Sequence, residues 1–182
     1  PGDPAVGRTV YKDFLGTTVV FEETRPDLAT TIRIAWQTSA RYGVVRTCQL
    51  SSAADGPLSV TVLDGMRNLM PAGATAQVQN ELSVLLDAYK RAELDPPTGL
   101  GLYYLNSTLT DLAEPSESLA TTVAWQVGLA GATPLLSEGQ LQAFRSGERA
   151  RPEHQVRGER GSYLVHSSLT LEPGEHRSWR VG

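Results

Sequence analysis

Three histidines, one cysteine and a scatter of carboxylates are the groups through which this chain could do chemistry at neutral pH. His154, His166 and His176 lack a histidine neighbour at i+2 or i+4, so the local spacing that aims imidazoles at one metal ion is missing. Each reads as a solvated or hydrogen-bonded structural residue. Cys48 stands alone, which excludes an intrachain disulfide and a Cys-x-x-Cys site. It alternates with Val44, Arg46 and Leu50, the pattern of a small buried hydrophobe on a strand. A Ser-His-Asp triad is a spatial arrangement that spacing leaves open. The G-x-S-x-G elbow that would present such a serine is absent, as are a P-loop and a G-x-G-x-x-G loop. Cleavage of a glycosidic bond needs two facing carboxylates. Asp64, Asp111, Glu114 and Glu117 are available, but the last three fall in a polar stretch, where charge is normally solvated. Glu22 and Glu23 are adjacent on one strand and so point to opposite faces.

The segment from Asp64 to Gly73, DGMRNLMPAG, places Asp64, Arg67 and Asn68 between glycines just past a strand. A loop of that kind can present polar groups to a ligand or a neighbouring domain. It can equally be a turn in which Asp64 and Asn68 bond their own backbone. The two readings stand level. Trp36, Trp125, Trp179, Tyr103 and Tyr104 could offer flat faces to a sugar ring. Trp36 and Trp125 lie in phase with aliphatic neighbours, which favours the core for both. Tyr103 is out of phase with Leu102 and Tyr104, so on a one-sided sheet one of these tyrosines faces outward. Asp64, Arg67, Asn68 and Tyr103 are therefore the candidate contacts with a ligand or a domain. No residue pattern identifies a catalytic group, a metal site or a cofactor site.

The elements that must position these residues are mostly strands. TTVVFEE (17–23) is rich in β-branched residues, and Arg25-Pro26-Asp27 closes it as a turn. In ATTIRIAWQ (29–37), Ile32, Ile34 and Trp36 share one face, with the period of a half-buried strand. Residues 42–51 and 58–64 read as a hairpin across Ala53-Ala54-Asp55-Gly56-Pro57. From 77 to 94 the period changes. Leu82, Leu85, Leu86 and Tyr89 mark an amphipathic helix that Asp95-Pro96-Pro97 ends. Strands resume at 100–108 and 119–127, with a polar loop at 111–118. A second helix is expected over 137–145, with Ser137 and Gln140 as a capping box and Gly147 as its stop. A charged loop (147–161) precedes a last pair of strands, 163–171 and 175–181, joined by Glu172-Pro173-Gly174. Residues 1–7 are Gly- and Pro-rich and read as a loose terminus. Short strands, regular turns and two connecting helices predict an antiparallel sandwich and not a βαβ fold.

At 182 residues the chain is long enough to be one domain that buries about 70% of its unfolded surface. A net charge of -4 lacks the basic stripe of a nucleic-acid binder. No apolar run approaches the roughly 20 residues of a membrane helix. Lys12 and Lys90 are the only lysines against many arginines, a bias expected of a GC-rich bacterial genome. A cytoplasmic, bacterial protein is the expectation. Asn106-Ser107-Thr108 matches a glycosylation acceptor by chance in that setting.

The phrases RYGVVRTCQL, VTVLDGMRNLMPAG, LLDAYKRAEL, TGLGLYYLNS, LAEPSESLATTVAWQVGL and RGERGSYLVHSSLTLEPGEHRSWRV carry a resemblance spanning about Tyr11 to Val181. Together they resemble the N-terminal region of bacterial proteins related to cellobiose and cellodextrin phosphorylases. That resemblance implies an antiparallel β-supersandwich, similar to galactose mutarotase, over residues 1–182 as a fragment of a larger chain. It further implies a C-terminal (α/α)6 domain that supplies the general acid and the phosphate site, and no catalytic residue within these 182. The implied role is non-catalytic: packing on the barrel, shaping the sugar site, or forming a homodimer. A stand-alone carbohydrate-binding module, holding an oligosaccharide on exposed aromatics, is the competing expectation. Mutarotase activity would need paired histidines and a carboxylate in one cleft, and no motif here supplies them.

Overall fold

The computed structural model describes residues 5–107 and 119–182. It is mainly β, with 51% strand against 14% helix, and its strand pairs are antiparallel, as the alternating segments predict. The chain divides into two compact units. One comprises Pro1–Val62, Gln126–Gly131 and Ser167–Gly182; the other comprises Leu63–Trp125 and Ala132–His166.

The first unit is built on a six-stranded sheet. Its strands are β1 (Gly7–Lys12), β2 (Thr18–Arg25), β3 (Thr30–Ser39) and β4 (Gly43–Ser52), with β9 (Gln126–Val127) and β13 (His176–Val181). Their order is β1-β2-β3-β4-β13-β9. Local chemistry shapes the turns. Between β1 and β2, the Asp13 carboxylate accepts hydrogen bonds from the Thr17 hydroxyl and the Thr18 amide. These hold its carboxyl below the ordinary range, the Thr17 bond contributing most. Between β2 and β3, Pro26 starts a 3-10 turn over Pro26–Leu28, Arg25 clasps the Asp27 carboxylate, and Ala29 turns the chain with a φ of 48°. Strand β1, all of it exposed, was not legible in the sequence: with no buried side, no hydrophobic period marks it.

Register assigns the two faces of this sheet, because directly opposed residues project to the same side. One row runs Val10–Phe21–Ile34–Cys48–Trp179, and the next runs Arg8–Glu23–Ile32–Leu50–Arg177. The other side carries Tyr11–Val20–Ala35–Thr47–Arg180 and Thr9–Glu22–Arg33–Gln49–Ser178. The predicted opposition of Glu22 and Glu23 is therefore real. Cys48 is buried on β4, as its alternation with Arg46 and Leu50 implies.

The predicted hairpin of residues 42–51 with 58–64 does not form. Strand β4 is flanked by β3 and β13, so no edge is left for β5 (Leu58–Leu69), which lies beside β12 (Gly161–Leu171). Likewise β12 and β13, though joined by a Pro-Gly turn, belong to different sheets. Each strand's face is written in sequence, but its neighbour is chosen by which edges remain open.

The second unit holds the four-stranded sheet β11-β6-β7-β8, formed by β6 (Lys90–Asp95), β7 (Leu100–Leu105), β8 (Thr122–Ala124) and β11 (Gln155–Arg157). It also holds β10 (Thr133–Leu135), which pairs with Leu164–His166 of β12. Its helices are α1 (Ala76–Glu81), α2 (Ser83–Tyr89) and α3 (Gly139–Arg145). The helix expected over 77–94 is thus two short helices and a strand. Of its apolar stripe only Leu86 is buried, packed with Ala74 and Leu105, while Leu82 and Leu85 are exposed. The chain turns extended at Lys90, where Lys90 and Ala92 point inward and Arg91 and Glu93 are half-exposed. An inward lysine disguises that period of two.

The capping box at Ser137 is also corrected. Helix α3 begins after Glu138 without a side-chain cap. The Ser137 hydroxyl donates instead to Glu153, at 2.6 Å. The strand expected over 119–127 is interrupted at Trp125: β8 pairs with β7, and β9 pairs with β13.

Candidate functional site

Of the four residues singled out in the sequence, three lie on β5 and one on β7. The segment from Asp64 to Leu69 continues the strand and is not a loop. Gly65 allows this through close approach: a Cβ there would stand 2.0 Å from the Tyr163 carbonyl oxygen. Asp64 is half-buried, and Asn68 is exposed with a φ of 57°, in the left-handed region that asparagine tolerates. The Arg67 guanidinium pairs with the Glu138 carboxylate, both side chains largely solvated. Tyr103 is 1% exposed, and its hydroxyl donates to the Ser162 carbonyl at 2.6 Å. It therefore faces inward, whereas Leu102 and Tyr104 are half-buried. Glycines make room for it, since a Cβ on Gly161 would stand 2.5 Å from the Tyr103 ring. Tyr163 lies nearby in the core and donates to the Gly99 carbonyl at 2.7 Å. Burial pushes both phenols up, Tyr163 to about 12 and Tyr103 further.

Two further ionisable groups of this unit, Glu153 and Lys90, are tied into structure. Glu153 accepts from the amides of Leu136 and Ser137 at 2.7 and 2.9 Å, besides the Ser137 hydroxyl. Burial pushes its carboxyl up, but the hydrogen bonds from Gln140, Ser137 and the two amides outweigh it and leave the group below its ordinary range. Lys90, 2% exposed, is held by Asp87 at 2.7 Å and by the Gln79 side-chain oxygen. His166 packs edge-on against Phe144, with ring centroids 6.1 Å apart. His154 and His176 are exposed. Among the described residues no cluster of His, Cys, Asp and Glu could hold a metal ion. Asp111, Glu114, Glu117 and Thr108 lie outside the described residues.

The candidate surface that sequence reading missed is in the first unit. On one face of the six-stranded sheet, burial falls steadily toward the β1 edge. Trp179 and Leu50 are 3% and 4% exposed, Ile32 and Ile34 are half-buried, Phe21 is 46% exposed and Val10 is 60% exposed. Between them lies an apolar groove of about 360 Å³, floored by Val10, Phe21, Ile32 and Ile34 and rimmed by the Arg8–Glu23 ion pair. At the β1–β2 turn, Phe14 and Leu15 are also exposed. Trp36 is half-buried on the same face, beneath the Arg46 guanidinium at 5.7 Å. The alternation of Ile32, Ile34 and Trp36 revealed an apolar face; only the neighbouring strands show that half of it is uncovered.

A scan against protein-family models finds no match to this chain, and a search of curated proteins likewise finds none. No helix among the described residues is long and apolar enough to cross a membrane.

Proposed function

We propose that this chain is a non-catalytic accessory module of a carbohydrate-active protein. It works by docking the apolar face of its six-stranded sheet onto the helical catalytic domain of the same parent protein. The observation supporting this reading is the uncovered end of that face, where Val10, Phe21, Ile32 and Ile34 form a continuous apolar floor open to solvent. Contiguous exposed apolar surface rimmed by polar residues is the kind that marks an interaction site. The Arg8–Glu23 pair at the rim fits the anatomy of an interface, with an apolar centre and charges at its edge. The carbohydrate setting, the glycoside-phosphorylase-type parent and the galactose-mutarotase-like supersandwich rest on the sequence phrases quoted above. Under the same reading, Arg67 and Asn68 on β5 are exposed positions available for contacts with that partner.

The test is a longer protein that contains this chain. Phe21→Glu together with Val10→Glu should leave the 182-residue chain folded and should sharply lower turnover of glucose disaccharides by the parent. Unchanged turnover would overturn docking by this face. Turnover by the 182-residue chain alone would overturn the accessory role. Concentration-dependent dimerisation abolished by the same changes would assign the face to a second copy instead.

A further inference from the structure

The opposite face of the same sheet carries a second surface, and its chemistry is different. Tyr11, Val20, Ala35 and Thr47 form one row across β1 to β4, with Arg33 and Gln49 in the adjacent row. Together they line a trough of about 320 Å³. Its floor is small: Val20, Ala35 and Thr47 leave the middle of the sheet low. Its walls are long: Tyr11 closes one end, and Arg33 and Gln49 stand along the side.

Two of the trough's side chains, Tyr11 and Arg33, are held by Glu22, which stands on the same face. The Arg33 Nε donates to one oxygen of Glu22, and the Tyr11 hydroxyl donates to the other at 3.2 Å. The guanidinium carbon lies 5.9 Å from the Tyr11 ring centre. One carboxylate thus fixes both an aromatic and a forked donor. Its charge offsets that of Arg33, so the Tyr11 end of the trough is neutral, while Arg180 stands in register with Thr47 at the other end. No side-chain hydrogen bond is made by the Gln49 amide or the Thr47 hydroxyl among the described residues, although both residues are half-buried.

These features select a ligand class. An apolar floor beside an aromatic ring suits a molecule with one face of C–H groups. A held guanidinium and a planar amide along the side suit vicinal hydroxyls, because a site built to hydrogen-bond them discriminates strongly. Beside Tyr11 a phosphate or carboxylate would meet no uncompensated positive charge, because Glu22 pairs with Arg33. We propose that this trough binds a pyranose ring of a neutral sugar, its C–H face over Val20 and Ala35 and its hydroxyls on Arg33, Gln49 and Thr47. This assignment rests on the lining residues alone and does not depend on the docking role of the other face.

The test is titration of the isotopically labelled chain with glucose, cellobiose, maltose and inorganic phosphate, followed by amide NMR shifts. Saturable shifts with a sugar, centred on Ala35, Thr47 and Gln49, are expected. Tyr11→Ala and Gln49→Ala should each weaken that binding roughly tenfold, about the loss of one good contact. Thr47→Val, which removes only the hydroxyl, serves as the variant least able to disturb the strand and should weaken it in the same direction. The absence of saturable shifts at tens of millimolar sugar would overturn the proposal. So would saturable shifts confined to other strands, binding unaltered in all three variants, or a response to phosphate and not to sugar.

Discussion

The exposure gradient across the apolar face of the six-stranded sheet can be tested by comparing two truncations in adjacent rows. Leu50→Ala, at a 4% exposed position on β4, removes buried methyl groups and leaves a cavity. Such changes cost about 2–5 kcal/mol. Phe21→Ala, on β2, removes a ring that is already 46% exposed. Complete burial of a phenylalanine contributes about 1.5–3 kcal/mol, so roughly half of that, near 1 kcal/mol, is at stake. For a chain of this size each kcal/mol shifts Tm by about 2–4 °C. Urea unfolding followed by tryptophan fluorescence and circular dichroism should therefore rank Leu50→Ala at least twofold more damaging than Phe21→Ala. An equal loss at the two positions would mean that Phe21 is covered in solution, and the docking surface would not exist. A Phe21→Ala loss above about 2 kcal/mol would refute the open surface in the same way.

Other perturbations probe the second unit. Arg67→Ala breaks a solvated ion pair with Glu138, and exposed pairs contribute about 0–1 kcal/mol, so unfolding should barely change; a shift of several degrees in Tm would show the strand depends on that pair. Asp87→Ala leaves the buried Lys90 ammonium without its carboxylate and should cost about 3 kcal/mol in denaturant titration, whereas Lys90→Met leaves behind a carboxylate that is 32% exposed and reached by water, and should cost clearly less. Equal effects of these two changes would contradict the buried-charge account. Tyr103→Phe strands the buried Ser162 carbonyl and should cost about 1–2 kcal/mol by the same measurement. Tyr103 and Tyr163 both hold their protons more tightly folded than unfolded, so stability is complete below pH about 10. Above that the unfolded chain ionises first, and stability should fall as pH rises through about 12 for Tyr163. A flat alkaline profile in both the parent chain and Tyr163→Phe would refute it. Gly65→Ala should strongly destabilise the chain, because its Cβ collides with the Tyr163 carbonyl; wild-type melting of this variant would overturn the close approach.

Much of the fold was legible in local pattern. The alternation of Ile32, Ile34 and Trp36 and of Arg46, Cys48 and Leu50 fixes strands and faces, because a side-chain period of two is a property of extended backbone. The turn at Arg25–Asp27 is likewise local, set by residues two positions apart. Lys90 shows where such reading fails. A charge in sequence implies solvent, but Asp87 and Gln79 receive this one from within, and the strand it belongs to is hidden inside an apparent helix. Tyr103 fails in the same way, since its inward direction depends on the Ser162 carbonyl, a partner 59 positions away.

By itself, then, the sequence determined a mainly β chain, the two faces of its central strands, and the lack of any local catalytic or metal-ligating motif. Tertiary structure decided which strands are neighbours, because an edge once paired is closed to every other strand. It also decided which part of an apolar face is covered. Val10 and Phe21 have the composition of core residues, and they are surface because strand order leaves them at the open margin of the sheet.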